Sequence, residues 1–100
     1  MHTVIRTYRN HPALADELAK HSPAIEAELG SVSGFVSYEL IKTPQGAVAI
    51  TVCEDARGCD ESTRRAGDWL SRNLPTLNIP TPEVYSGKVI FRFSKAPALV

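Results

Sequence analysis

The stretch "TPQG" at residues 43–46 lies between two runs that read as strands, "SGFVSYELIK" (33–42) and "AVAITVC" (47–53). Both runs are dense in β-branched and aromatic residues, and Pro and Gly between them supply the dihedrals of a tight turn. The pair is therefore a hairpin, and the middle of the fold is antiparallel sheet. The rest of the chain has to pack around that hairpin.

Upstream, "TVIRTYR" (3–9) reads as another strand, with Thr3, Ile5 and Thr7 alternating with Val4, Arg6 and Tyr8. Asn10 then suits a helix cap, with Pro12 near the first turn. Leu14, Leu18, Ile25 and Leu29 fall on one face of a helix that runs to about Leu29 and ends at Gly30. Pro23 lies inside that pattern and should kink or split the helix near Ser22. After the hairpin, Cys59, Thr63, Ala66, Leu70 and Leu74, widened by Trp69, mark a second helix over 59–74. Its i,i+4 pairs Asp60–Arg64, Glu61–Arg65 and Asp68–Arg72 have the favourable acid-first order. "PTLNIPTP" (75–82) is a connector with three prolines, and "EVYSGKVIFRF" (83–93) is the last strand, where Gly87 suggests a bulge or bend. Residues 94–100 read as a tail that wraps onto a neighbour.

The order β-α-β-β-α-β predicts an α+β, ferredoxin-like fold: one antiparallel sheet with two helices on one face. At 100 residues it forms a single domain, 1–100, with its core over about 3–93. Strands two and four carry apolar groups on both faces: Phe35 and Ile41 against Val36 and Leu40, then Val84 and Ile90 against Val89, Phe91 and Phe93. A sheet wet on one side should alternate more cleanly. The second face needs a cover, and a second copy of the chain is the economical one, enclosing a dimeric barrel.

Eleven basic and eleven acidic side chains cancel, without the clustered Lys and Arg that phosphate neutralisation requires, so no nucleic-acid partner is expected. The N-terminus lacks the apolar core of a signal peptide, and no run approaches the ~20 apolar residues of a membrane span; a cytoplasmic protein is expected. Cys53 and Cys59 are spaced C-x5-C with no third Cys and no nearby His, which fits neither a zinc site nor a C-x-x-C redox pair. They read as free, half-buried small residues at a junction where Cys53 ends a strand, "EDARG" turns, and Asp60 and Glu61 open the next helix. No metal site and no cofactor are expected.

The stretches "GFVSYELI", "CDESTRRAGDWLSRNL" and "EVYSGKVI", in this order and spacing, resemble the antibiotic-biosynthesis-monooxygenase-like (ABM-like) proteins of the dimeric α+β barrel superfamily, over about residues 3 to 93. The resemblance implies a homodimer whose sheets face each other, with a pocket between each sheet and its helices. Some relatives oxidise polycyclic aromatic substrates with oxygen and without metal or flavin; others degrade haem. The haem degraders carry a Trp on helix two, a haem-ligating His further along and an Asn on the first strand. Trp69 matches the first, but the histidines here are His2, His11 and His21, all before the second strand, and the first strand has Arg6 and Thr7 where Asn is wanted. In the cofactor-free oxygenases a Trp, an Asn and an Arg are implicated, and Trp69, Asn73 and Arg92 are the nearest types here.

The candidate residues follow. His21 lies beside the apolar stripe of helix one, next to the carbonyls freed by Pro23. It is either hydrogen-bonded to one of them or a pocket-lining proton carrier. Tyr8, Tyr38 and Tyr85, with Glu39 and Arg6, are the polar groups on otherwise apolar strands. If Tyr38 faces the helices it shares a cavity with Trp69 and His21, suited to a flat aromatic ligand; otherwise Tyr38 and Trp69 are core. Glu39 and Arg6 are expected on the opposite sort of face, paired across the sheet or the dimer interface. Catalytic candidates are thus His21, Tyr38 and Trp69, with Phe35, Asn73 and Arg92 as ligand contacts. Two functions compete: a cofactor-independent monooxygenase of an aromatic or polyketide-like molecule, and a non-catalytic small-ligand-binding or structural dimer.

Overall fold

A computed structural model describes residues 1–95. Strand β1 spans His2–Tyr8, helices α1 and α2 span Leu14–Lys20 and Ser22–Gly30, β2 and β3 span Phe35–Thr43 and Gly46–Cys53, α3 spans Ala56–Asn73, a 3-10 turn covers Pro75–Leu77, and β4 spans Glu83–Lys88. The four strands form one antiparallel sheet in the order β2-β3-β1-β4, the ferredoxin-like arrangement with its first helix in two pieces.

The break between α1 and α2 falls at His21, because Pro23 in the first turn of α2 lacks the N–H that a continuous helix would use. The first helix starts later than expected. Asn10 adopts a left-handed conformation with φ 62° and caps nothing, and Ala13 precedes the helix. Helix α3 starts earlier than its apolar stripe suggests. Asp55 is its N-cap, with Oδ1 accepting from the Gly58 N–H at 3.0 Å, so Asp60 and Glu61 lie in its second turn. Of the expected acid-first pairs only Glu61–Arg65 forms (3.0 Å); Arg64 instead bridges Glu61 and Asp68, and Arg72 reaches across to Glu28 at 3.2 Å.

Glycine does steric work at two junctions. A Cβ on Gly46 would lie 2.1 Å from the Tyr8 carbonyl oxygen, so the hairpin turn needs Gly for close approach to β1 rather than for an unusual dihedral. A Cβ on Gly58 would lie 2.8 Å from that of Cys53, so the first turn of α3 can sit on the end of β3 only without a side chain there.

Side chains of Val4, Arg6 and Tyr8 on β1 and Ala47, Ala49, Thr51 and Cys53 on β3 are buried under the helices. With Leu14, Leu18, Ile25, Leu29 and Trp69 they build the core. A register irregularity between Phe35 and Ser37 moves Phe35 opposite Cys53, onto the helix side with Tyr38 and Leu40 and away from Glu39 and Ile41. Gly87 carries no bulge; it pairs with Thr3 in unbroken register.

The last strand is shorter than the expected 83–93. Among the described residues it pairs only with β1, His2 opposite Lys88, and the last bond along this edge runs from the Val89 N–H to the Met1 carbonyl. Ile90, Phe91 and Phe93 therefore stand 90%, 78% and 83% exposed. Most of the expected tail, 96–100, lies outside the described residues. On the face away from the helices, Ile5, Ile41 and Tyr85 are exposed and Val48, Ile50 and Val52 half-buried, an apolar surface with no element over it among the described residues.

Candidate functional site

The strand alternation puts Arg6 between Val4 and Tyr8, inward under α3. Arg6 is 1% exposed. Its Nη1 donates to Thr63 Oγ1 (3.0 Å) and, at longer range, to Ser62 Oγ (3.4 Å); its Nη2 donates to Thr51 Oγ1 (2.9 Å). The Ser62 hydroxyl donates in turn to the Cys59 carbonyl at 2.7 Å. Arg6 Nε is buried without a partner, and no carboxylate pairs with Arg6 among the described residues. The expected pairing with Glu39 does not form, because Glu39 sits opposite Ile50 on the other face of the sheet.

Two spaces adjoin this cation. The larger is a cleft of about 530 Å³ between α3, the β1–β4 edge and the connector after α3. Arg6, Tyr8 and Thr63 supply its polar wall, and Leu70, Leu74, Ile79, Val84 and three prolines its apolar one. The connector is fixed at both ends. The His11 Nε2 lies 3.2 Å from the Leu77 carbonyl, and Arg9 pairs with Glu83 at 2.7 Å. Pro75, Pro80 and Pro82 stiffen it, since each restricts the chain before folding. The smaller space, about 30 Å³, lies behind Arg6 and Tyr8 among Tyr38, Trp69, Leu18 and Ile25. It has room for a water but not for an aromatic ligand, whereas the cleft falls in the usual range of ligand sites, roughly 300–1,000 Å³.

Burial pushes the Tyr8 phenol above its usual pKa; the neighbouring Arg6 charge pulls the other way and does not overcome it. Tyr38 is raised for the same first reason. Both hydroxyls therefore stay protonated near neutral pH, and Tyr8 faces the cleft as a neutral donor.

The residues singled out from sequence are distributed as follows. Tyr38 faces the helices and shares the small cavity with Trp69, which is 7% exposed. His21 packs edge-on against Trp69 with ring centroids 5.4 Å apart, and lines neither space. Phe35 lies with Tyr38 along a groove of about 340 Å³ between α2 and β2. Asn73 donates its amide to the Trp69 carbonyl at 2.9 Å, and Arg92 is exposed beyond the end of β4. What sequence reasoning missed is the cleft wall of Arg6, Tyr8 and Thr63. The available signal was an arginine at an inward position of β1, flanked two residues away on each side by Val4 and Tyr8.

Cys53 and Cys59 are free, adjacent and buried. Desolvation raises both thiols, Cys53 to about 11, which keeps them protonated and unreactive. Among the described residues no three His, Cys, Asp or Glu converge as a metal-ligand set, and no helix is long and apolar enough to cross a membrane.

No family model and no curated protein matches this sequence. Solved structures do match the fold. MhuD, a haem degrader from Mycobacterium tuberculosis with two haems bound in its active site, superposes with a TM-score of 0.69 at 12% identity, over 94% of this chain and 100% of that one. SnoaB, a cofactor-independent oxygenase from Streptomyces nogalater, gives 0.66 at 18% identity over 94% and 97%. The monooxygenase ActVA-Orf6 of Streptomyces coelicolor, in complex with nanaomycin D, gives 0.61 at 17% identity over 97% and 91%. The chain thus has the fold of the ABM-like proteins that its sequence resembles.

Proposed function

We propose that this chain is a cofactor-independent monooxygenase that takes a flat aromatic or polyketide-like molecule into the cleft beneath the proline-rich connector. The supporting observation is the cleft itself: about 530 Å³, largely apolar, with Arg6, Tyr8 and Thr63 converging on one wall. Fold-mates named as a cofactor-independent oxygenase and as a monooxygenase support the reading by analogy. An activated ring methylene supplies the electrons. Its two C–H bonds are replaced by C=O, one oxygen atom of O₂ enters the product and the other leaves as water. The four electrons lost by carbon are those gained by oxygen. The haem alternative fits less well, because among the described residues no imidazole or thiolate lines the cleft, and burial keeps its one phenol, Tyr8, protonated.

The homodimer belongs to this proposal. The apolar surface of Ile5, Ile41, Val48, Ile50 and Val52, and the exposed Phe91 and Phe93 beyond β4, offer a second copy a sheet face and an arm. Sedimentation should give a dimer for the native chain and a folded monomer for Ile5→Glu; a native chain that is monomeric at micromolar concentration would refute it.

One observation favours a non-catalytic ligand binder: among the described residues the cleft wall carries no His, Asp, Glu, Lys or Cys, leaving Tyr8 as its only proton-transfer group of ordinary type. Oxygen uptake with 1,8-dihydroxy-9-anthrone separates the two readings. Turnover predicts one O₂ consumed per anthraquinone formed, in proportion to protein. Uptake at the buffer rate, with the compound still raising Tm, leaves a binding protein.

A further inference from the structure

We propose that the cleft selects ligands bearing an oxyanion on a flat aromatic skeleton, an enolate, phenolate or carboxylate whose charge Arg6 neutralises. The inference rests on the cleft being the ligand site and adds the chemical class of what enters.

Arg6 is an unpaired cation at 1% exposure. Among the described residues its hydrogen-bond acceptors are the hydroxyls of Thr51, Ser62 and Thr63, with the Tyr8 phenol beside it; none of these carries a charge, and its Nε has no partner. The chain has acids to spare but keeps them elsewhere. Glu28, at the edge of the small cavity, is already held by Arg65 and Arg72, and among the described residues no carboxylate lines the cleft. A guanidinium left in this state is costly unless something of opposite charge reaches it. It is also the side chain best matched to a planar oxyanion, with five donors in a rigid fork. Thr63, which accepts from Nη1, lines the cleft together with Arg6, whereas the other acceptors, Thr51 and Ser62, are fully buried, so one edge of the guanidinium reaches the cleft wall and the rest lies in the core. Tyr8 stays a neutral phenol on the same wall and adds a donor without adding a competing negative charge. The remaining wall, with Leu70, Ile79 and Val84, suits the apolar body of such a ligand.

Three probes read this out by isothermal titration or by quenching of Trp69, the sole tryptophan. They are 2-hydroxy-1,4-naphthoquinone, an acidic enol that is anionic at neutral pH; its methyl ether, which is neutral and nearly isosteric; and 2-naphthoate. The quinones are already fully oxidised, so binding is measured apart from any turnover, and a protein that binds them without oxygenating anthrones would fail only the catalytic reading. The native chain should bind at least one anion about tenfold or more tighter than the ether, the scale of one charge-assisted hydrogen bond. Preference for the hydroxyquinone assigns the anion to an enolate, preference for naphthoate to a carboxylate, and either supports the proposal. Arg6→Gln should lose the discrimination while keeping its affinity for the ether. Ether binding as tight as both anions in the native chain overturns the proposal even if Arg6→Gln does not fold. Discrimination that survives in a folded Arg6→Gln overturns it as well.

Discussion

The sign of a single substitution, Thr51→Val, should reverse with the identity of residue 6. Thr51 is 0% exposed, and its one side-chain partner is Arg6 Nη2 at 2.9 Å. In the native background, Thr51→Val takes an acceptor from a buried cation whose Nε is already unsatisfied. Hydrogen bonds to charged groups contribute about 1.5–3 kcal/mol, so a loss of that order is expected. Arg6→Met changes the setting. Ser62 keeps its bond to the Cys59 carbonyl, and Thr63 reaches water in the cleft, but Thr51 becomes a buried hydroxyl without a partner, at a cost of about 1–3 kcal/mol. Against this, removing an uncompensated buried cation relieves a desolvation penalty of several kcal/mol. Arg6→Met alone should therefore lie near native stability, and adding Thr51→Val should raise it by about 1–3 kcal/mol. Replacing a buried ionic group and its partner by apolar groups of similar volume commonly ends about 1–4 kcal/mol above the starting protein. The four proteins of the cycle can be compared by urea unfolding, followed by far-UV circular dichroism at one fixed protein concentration because a dimer's stability depends on it. Thr51→Val destabilising both backgrounds equally would refute the reasoning, since Arg6 would then not be the group that determines what the Thr51 hydroxyl is worth.

Three further outcomes are expected. Hydrogen bonds from Arg64 and then Arg65 hold Glu61 at about 2 against an ordinary value of 4.5, so its contribution is present above pH 4.5 and is lost as pH falls toward 2; carboxyl NMR should show the depressed titration, and Glu61→Gln should flatten the Tm slope in that window. Cys53, raised from 9.0 to about 11, contributes stability that is full below pH 9 and lost as pH rises through 11, and a thiol reagent at pH 8 should modify the native protein only as fast as it opens; rapid reaction of both thiols would contradict their burial. Gly46→Ala forces a Cβ against the Tyr8 carbonyl and should cost about 1–3 kcal/mol, read as a lower Tm; an unchanged Tm would show that the turn yields freely.

What was legible in the sequence was local. Pro44 and Gly46 marked the hairpin, although Gly46 is needed for its close approach to the Tyr8 carbonyl rather than for a turn dihedral, and Pro23 announced the break at His21 because a missing N–H interrupts a helix wherever it falls. The misplacements have non-local causes. Residues 89–93 have strand composition, but the strand stops at Lys88 because its sole partner among the described residues, β1, begins at His2. Phe35 changed faces because pairing with β3 slips between Phe35 and Ser37, and no propensity reports a slip in register. Helix α3 began at Ala56 because its cap, Asp55, lies ahead of the apolar stripe that marks the rest of the helix.

The candidate site follows the same division. Period-two alternation grouped Arg6 with Val4 and Tyr8 on one face of β1, so a charge sharing a face with two core-type residues was open to view, although Arg6 was expected on the face away from the helices. Its meaning was not, because a buried arginine is unremarkable when an acid meets it, and whether one does depends on which turn of α3 crosses β1. That turn presents Ser62 and Thr63, while Glu61 is drawn off to Arg64 and Arg65. Trp69 was the more conspicuous residue, yet its size is what closes the space around it to about 30 Å³. The open volume lies instead where the connector, stiffened by proline and tied by His11 and Arg9, bridges from α3 to the β4 edge. A large aromatic fills the space it occupies, whereas a charge without a partner leaves an interaction still to be made. In this chain the proposed ligand site rests on the second.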